Sequence, residues 1–598
     1  MKKSTLTLLA LTSVVTSASA LIDLPRASAQ SSAQSPVQSP VQPQTPPAQA
    51  PATAPAALGP IATTIRSLLE SGTEFTIGTT KINGATLKKL YALRNFRPYW
   101  TTNSGVTTLG LSAQDMLENE SEYHGFNGKH YFTADAEARL QATEATRLAE
   151  MDILLSNGYV MLANNMASGR INPKDRSQNL ADIELSPQPP PKLEYINNAI
   201  KDVESMQQGI RNLAPFTLAY VKLLQTLVAL KNAQSWGGWP ALKDRTVIRP
   251  GMSHENVFGI RVRLVDMGAL PKEQRKNRSS VYDDDMVRGV MRLQKATFKA
   301  QDGIIGNDTY NILLVPLEKR IVQTKANLER WRLLPRNLGE RFLFVDLGRQ
   351  ELDIMEGNNL IGRMKVVVGK DLNGTPTMID SIRRIIVNPY WRAPKSIVVK
   401  EMIPAYQSDR SYFRRNRIRI LSSRGEVDPA TIDWSRYSMQ SPPPYEFRQD
   451  PGEENSLGVL KFTLNNAHAI YMHDTNHKEA FNRSIRYLSH GCIRLEKPLA
   501  LASYLLADQG YDQYQIQDEI ELGGIEKSLS LTKSMRVYIF GTTMVAYSDG
   551  TVAFGEDVYK QDQRIVDAMN GIHSRDPVVQ PTSTAQEQAT VQVTPAAQ

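Results

Sequence analysis

Hydrophobic residues recur at two different spacings along this chain, and the change of spacing divides it into two large parts. Between about 59 and 333 the apolar side chains return every three or four residues, which predicts amphipathic helices. From 341 onwards apolar and polar residues alternate over short segments, which predicts strands. The pattern indicates a multidomain α+β protein with a helical N-terminal half and a mainly β C-terminal half.

The helical half divides further at about residue 245. Residues 59–244 carry long helical patterns and predict a helical scaffold domain. Residues 245–320 predict a small three-helix domain, because two apolar helical segments are followed by the turn Asp302-Gly303-Ile304-Ile305-Gly306 and a third helix. Gln294 precedes this turn on the second predicted helix.

The β half predicts one domain over 340–525 with a long insertion. Strands are predicted at 342–348, 351–356, 360–368, 382–388, 458–465 and 468–473. Between about 400 and 450 the chain is rich in arginine and proline and is too long for a plain loop, so we predict a lid over the active face. We expect its aromatic residues to contact substrate, namely Tyr406, Tyr412, Phe413, Trp434 and Tyr437. Residues 526–571 are predicted to form an extension packed on the scaffold domain.

The two ends of the chain have compositions that do not predict a folded domain. Two lysines, an apolar segment over 6–15 and small residues predict an export signal over 1–29, with cleavage after Ala20 as an alternative. Residues 30–58 are rich in proline, glutamine, serine and alanine and predict a disordered linker, and residues 572–598 predict a disordered tail.

The charge and the later hydrophobic segments limit the classes of partner. The formal net charge of +8, in an exported protein, favours anionic wall polymers or lipid headgroups over nucleic acid. No apolar run after the signal segment reaches the length of about 20 residues that a membrane-spanning helix needs. We therefore expect no transmembrane domain beyond the signal segment.

The candidate chemistry lies in the segment Ser489-His490-Gly491-Cys492-Ile493-Arg494, which holds the only cysteine of the 598 residues. A lone cysteine cannot form an intrachain disulfide, and its thiol needs a base to attack an acyl carbon. His490 lies two positions before Cys492, and His473 lies in an apolar segment further upstream. Gly491 allows close backbone approach, and the amides of Gly491 and Cys492 are candidates for an oxyanion hole.

Three other interpretations of this segment have to be weighed. Zinc could bind His473, His477, His490 and Cys492, but the segment after His473 lacks the helical pattern with glutamate. A papain-like peptidase would place its cysteine before its histidine, the reverse of the order here. A buried, unreactive cysteine remains compatible with the residue type alone.

The spacing of these residues resembles a known signature. His473, fifteen intervening residues and then Ser489 to Ile493 are similar to the motif of the YkuD-type L,D-transpeptidase catalytic domain. The chain departs from that motif at Arg494, where asparagine is usual. The resemblance implies that Cys492 is the nucleophile and that His473 is its base, oriented by the carbonyl of Asp474. His490 and Gly491 would line the pocket.

Further segments resemble the large YcbB-type branch of this family, which combines a helical scaffold, a peptidoglycan-binding domain and a lidded catalytic domain. The segments are Asn388-Pro389-Tyr390-Trp391 with Pro394, 449–458 and 92–100. On this basis residues 245–320 are expected to be the peptidoglycan-binding domain. The residues expected to contact substrate are Ser489, Arg494, Tyr471, Asp474 and Trp391.

The resemblance implies a periplasmic acyltransferase of a Gram-negative envelope that acts on peptidoglycan in wall remodelling. It would release D-alanine from a donor tetrapeptide stem and join two stems by a 3–3 cross-link, with no cofactor and no metal. An L,D-carboxypeptidase using the same thioester and an inactive wall-binding scaffold are the alternatives. The expected partners are donor and acceptor stem peptides and other enzymes of cell-wall synthesis.

Overall fold

The structure, a computed structural model, describes residues 58–572 except for residues 179, 372 and 373. The predicted signal segment and nearly all of the predicted linker and tail lie outside the described residues. The described part confirms a helical N-terminal region followed by a mainly β region. Among its helices, none combines the length and the apolar character needed to cross a membrane.

The N-terminal region is built around the long helix Ala145–Ser168, most of whose side chains are buried. Asp152 lies inside this core and accepts hydrogen bonds from the backbone N–H groups of Tyr99, Trp100 and Thr101 at 2.7–2.9 Å. These bonds fix the connecting segment to the helix. The other helices are Pro60–Glu70, Gly84–Ala92, Thr108–Asp115, Ser121–Tyr123, Ala134–Glu137, Leu193–Ala199, Val203–Arg211 and Leu218–Ser235.

A small three-helix unit follows, made of Asn256–Asp266, Asp284–Ala296 and Asn307–Leu313. Gln294 joins its second helix to the turn before the third. Its side-chain amide donates to Asp302 Oδ1 at 2.9 Å, and its oxygen accepts from the Gly303 N–H at 3.0 Å. The residues of this sequence pattern therefore hold the turn against the second helix. The long helix Leu317–Leu333 leads from this unit into the β region.

The β region is a sheet of eight strands whose pairings return to the first strand. Its core consists of inward-facing residues such as Leu343, Val366, Ile385, Phe462 and Val537. The strands, in the order of pairing, are Leu460–Thr463, Met472–His473, Ile493–Leu495, Asn359–Gly369, Glu351–Glu356, Arg341–Asp346, Lys527–Phe540 and Thr377–Val387.

Two further strands extend this closed sheet, and two helices pack against it. The strand Tyr487–Ser489 pairs with Asn359–Gly369, and Ile183–Glu184 of the helical region pairs in parallel with Thr377–Val387. The helices Pro498–Leu506 and Gln513–Glu521 pack against the core of the sheet through residues such as Leu501 and Ile516.

The predicted end of the catalytic domain at residue 525 is wrong. Lys527–Phe540 lies inside the sheet, parallel to Arg341–Asp346 and antiparallel to Thr377–Val387. It belongs there because Val537, Ile539 and their alternating neighbours fill the core.

The chain after Phe540 packs on the helix Leu317–Leu333. It forms the strands Met544–Ala546 and Val552–Phe554 and the helix Asp562–Met569. Gln323 donates to the carbonyl oxygens of Thr543 at 2.8 Å and Gly555 at 3.0 Å, and Arg330 forms a buried ion pair with Asp562.

The insertion forms a small subdomain with a sheet and a core of its own. Its four strands are Trp391–Arg392, Glu446–Gln449, Ile418–Ser422 and Gly425–Glu426, in the order of pairing. The helical segments Lys395–Ile397, Val398–Met402, Ile403–Ser408 and Tyr412–Arg415 pack beside them.

The aromatic residues of the insertion do not form the gripping surface that the sequence predicts. Tyr406, Phe413 and Trp434 are 3%, 2% and 5% exposed and pack together in the core of the subdomain. A separate sheet needs its own apolar core, and these rings supply it. Tyr412 and Tyr437 are half-buried against the same core.

Candidate active site

Strand register brings the candidate catalytic residues onto one face of the sheet. His473 lies opposite Arg494 on one neighbouring strand and opposite Lys461 on the other. The residues directly before His473 and Arg494 are Met472 and Ile493. They pair with each other, and both side chains are fully buried in the core. Because side chains alternate along a strand, the row Lys461–His473–Arg494 faces away from the core.

Tyr471 and Cys492 precede the core pair on their two strands and form the neighbouring row on the same face. The Ile493 N–H donates to the Tyr471 carbonyl at 3.0 Å, which extends the pairing by one residue. Two residues along a strand correspond to about 7 Å. The thiol and the imidazole therefore lie one row apart, on the same face of adjacent strands.

The Cys492 thiol is half-buried, with Sγ 3.9 Å from the Ala469 carbonyl oxygen. Burial raises its pKa above the ordinary value. Two kinds of contact lower the pKa of the thiol, but by less than burial raises it. They are hydrogen bonds from the N–H and hydroxyl of Tyr471, and the positive charges of Lys461 and Arg494. At neutral pH the thiol is therefore protonated, so attack on an acyl carbon requires a base.

His473 has the protonation state that such a base needs. Burial first, and then the charge of Arg494, lower its pKa to about 3, while the carbonyl of Asp474 acts in the opposite direction. The imidazole is therefore neutral at pH 7. Its ring stacks edge-on against Tyr471 at 5.5 Å between centroids. Nδ1 has no well-aligned hydrogen-bond partner among the described residues, so orientation by the Asp474 carbonyl stays a prediction.

The turn that carries Cys492 is held by a short hydrogen-bond network. Ser489 Oγ donates to the Cys492 carbonyl at 2.6 Å and accepts from the Gly491 N–H at 3.1 Å. Thr375 Oγ1 donates to the Gly491 carbonyl at 2.7 Å. Gly491 has φ +116°, a conformation that other residues rarely adopt. Since its amide is engaged by Ser489, Gly491 is not a free oxyanion donor in this arrangement.

His490 contacts the inserted subdomain. It is exposed, and its Nε2 lies 2.5 Å from Glu401 Oε1 on the segment Val398–Met402. This contact joins the cysteine motif to the insertion. Trp391 is half-buried at the base of the insertion. Its side chain forms a hydrogen bond with the Tyr471 hydroxyl, so its connection to the site is through Tyr471.

The Asp474 side chain has a structural role. One carboxylate oxygen accepts from the Val459 N–H at 3.1 Å, and the other pairs with Lys478. The backbone N–H of Asp474 donates to Leu460 at 2.9 Å. These bonds fasten the end of the His473 strand to its neighbour, so the substrate contact expected of this residue would have to come from its backbone.

Three residues of the site were not predicted from the sequence: Lys461, Thr375 and Glu401. Lys461 lies in a predicted strand, but an alternating lysine is typical of a solvent-facing position. Thr375 and Glu401 carry no signal in the sequence, because each contacts a residue far away in the chain.

The zinc alternative has no supporting geometry. Among the described residues, no group of three or more His, Cys, Asp or Glu side chains is arranged to hold a metal ion. His477 is exposed beside Glu479 at 3.3 Å, and His490 is bonded to Glu401.

Comparison with known proteins identifies the class of the β region. Residues 340–539 match the family model of the YkuD L,D-transpeptidase catalytic domain, and residues 85–227 match that of a scaffold domain. The chain therefore carries a YkuD-type L,D-transpeptidase catalytic domain, whose end at 539 agrees with the inclusion of the strand Lys527–Phe540.

A curated Haemophilus influenzae protein that carries the provisional name L,D-transpeptidase is 32% identical over 250 residues, covering 42% of this chain. The matched segment spans 50% of that relative.

Solved L,D-transpeptidases from Stackebrandtia nassauensis and Xylanimonas cellulosilytica are 12% and 14% identical to this chain. Each match covers 50% of this chain and 98% of the other. Their TM-scores of 0.20 and 0.16 are too low to support an inference about this protein.

Proposed function

We propose that this protein is an L,D-transpeptidase that forms 3–3 cross-links in peptidoglycan through an acyl-enzyme on Cys492. The observation that supports it is the placement of Cys492 and a neutral His473 on one face of two adjacent strands, within the matched catalytic domain. The family match supports the class of enzyme, and the strand register supports the assignment of these two residues to the reaction.

In the first half-reaction, Cys492 Sγ attacks the carbonyl carbon of the third residue of the donor stem, which is bonded to the nitrogen of D-alanine. Both groups start neutral, and His473 accepts the thiol proton during the attack. No thiolate–imidazolium pair therefore has to form beforehand. The C–N bond then breaks, its electron pair remains on the nitrogen of D-alanine, and His473 returns the proton to that nitrogen. A general base contributes about 10²–10⁴-fold to such a step.

In the second half-reaction, a side-chain amine of an acceptor stem attacks the thioester carbon. His473 takes a proton from this amine, and the sulfur leaves with the electron pair of the C–S bond and regains a proton. Closure of the inserted subdomain over the thioester would exclude water and so favour attack by the amine. The inserted subdomain, joined to the motif by Glu401 and His490, is the proposed lid.

The rest of the chain fits an enzyme that works on the wall. Residues 245–320, with the three-helix unit, are the proposed peptidoglycan-binding domain, and the periplasm is the proposed location. The formal charge of +8 favours an anionic polymer as surroundings. Partner enzymes of cell-wall synthesis remain part of this proposal.

Product analysis by mass spectrometry tests the function. Purified protein incubated with tetrapeptide stems should release D-alanine and form 3–3 dimers, and Cys492→Ala should form neither. His473→Ala should lose most of the activity, whereas the matched control His477→Ala, an exposed histidine nearby, should keep it. D-alanine release with only hydrolysed tripeptide as the other product would indicate a carboxypeptidase, and dimers formed by Cys492→Ala would refute the mechanism.

A further inference from the structure

His473 lies between two cationic side chains in a row across three strands. Lys461 is its register partner on one side and Arg494 on the other. Adjacent strands are about 4.8 Å apart, so the backbone positions of Lys461 and Arg494 lie close to that of His473 on either side. Both are half-buried, and Lys461 Nζ lies 4.1 Å from the centroid of the Tyr471 ring.

Neither cation has a carboxylate partner within ion-pair distance in the part of the chain that the structure describes. Arg494 Nε, a buried atom, also lacks a hydrogen-bond partner there. Glu526 acts on Lys461 and Glu479 on Arg494 only as more distant charges, and Arg392 adds a further cation near Lys461. Burying two cations without an anion is unfavourable, which indicates that an anionic ligand completes this row.

The Cys492 thiol does not supply that anion in the free protein, because burial keeps it protonated at neutral pH. The donor substrate does carry one at a fixed distance from the reacting bond. Its departing residue is the end of the stem, so one carbon atom separates the nitrogen that His473 protonates from a carboxylate. The carboxylate oxygens lie within about 4 Å of that nitrogen.

We propose that Lys461 and Arg494 bind the C-terminal carboxylate of the donor stem on either side of His473. The proposal rests on the proposed function and adds to it the group that selects the donor. A stem whose fourth residue ends in a free carboxylate places the nitrogen of the scissile bond beside His473. A stem extended by another residue moves the carboxylate away from the two cations.

The test compares two donors that differ only at this group: a tetrapeptide stem with a free C-terminal carboxylate and the same stem ending in a carboxamide. The wild-type protein should prefer the acid by about 10- to 100-fold in kcat/KM, the range expected for hydrogen bonds to a charged group. Lys461→Met and Arg494→Met should each reduce this preference about tenfold or more. Lys533→Met, an exposed lysine on the strand Lys527–Phe540, is the matched control and should retain it.

The ratio of the two donors separates this inference from the function on which it rests. Loss of the preference in either variant supports carboxylate binding. A preference that persists in both variants, or an equal loss of rate with both donors, would overturn it, because the cations would then act on another group. Absence of D-alanine release from either donor by the wild-type protein would instead refute the proposed function.

Discussion

Lowering the pH from 7 to 5 should leave the rate of Cys492 acylation nearly unchanged. His473 acts as a base only in its neutral form, and burial together with Arg494 lowers its pKa to about 3. A lowered pKa means that the neutral form persists to more acidic pH. The acidic limb of the pH–rate profile should therefore lie far below the value of an ordinary histidine.

The size of the effect follows from the fraction of neutral imidazole. With a pKa of about 3, that fraction is about 99% at pH 5. With the ordinary histidine pKa of about 6.5, it would be about 3%, so the two cases differ by roughly thirtyfold in rate.

Single-turnover release of D-alanine from a tetrapeptide donor, measured from pH 4.5 to 8, gives this profile. Circular dichroism at each pH would confirm that the protein stays folded. The mechanism predicts a plateau between pH 5 and 7.5, since base and thiol are both neutral there. A fall centred near pH 6.5 would contradict the neutral His473. A steady tenfold rise per pH unit would show that only a preformed thiolate reacts.

Other substitutions test the contacts around the site and the fold. Glu401→Gln should loosen the insertion by about 0.3–1 kcal/mol and speed amide exchange over 395–408, whereas Glu426→Gln in the same subdomain should not. Asp562→Ala leaves a buried arginine unpaired and should lower the free energy of unfolding by about 3 kcal/mol in urea denaturation. Gly491→Ala and the control Gly425→Ala both strain a positive φ, by about 1–3 kcal/mol, but only Gly491→Ala should slow acylation.

The strands of the catalytic domain were largely predictable, because alternation between core and outer face leaves a period of two in the sequence. The prediction at 351–356 coincides with the strand Glu351–Glu356. The prediction at 468–473 is too long, since Ala469 has φ +54° and the strand is only Met472–His473. Lys527–Phe540 escaped prediction because its first half is polar and its pairing shifts register between Ser530 and Met535.

The two central residues of the site could be found from the sequence, whereas their surroundings could not. Cys492 and His473 are rare residue types at a characteristic spacing. Lys461 becomes significant only when its strand pairs with that of His473, and Thr375 only when the turn reaches Gly491. From the sequence Arg494 was only one of several expected substrate contacts. Among the described residues it has no anionic partner within ion-pair distance, and this observation suggests a carboxylate as its ligand.

The most direct test of the central claim is to detect the covalent intermediate itself. Protein mixed with a tetrapeptide donor and quenched in acid should gain the mass of the donor without its terminal alanine, and peptide mapping should locate that mass on Cys492. The same treatment of Cys492→Ala should leave the mass unchanged. An adduct on another residue, or D-alanine release by Cys492→Ala at the wild-type rate, would contradict the account.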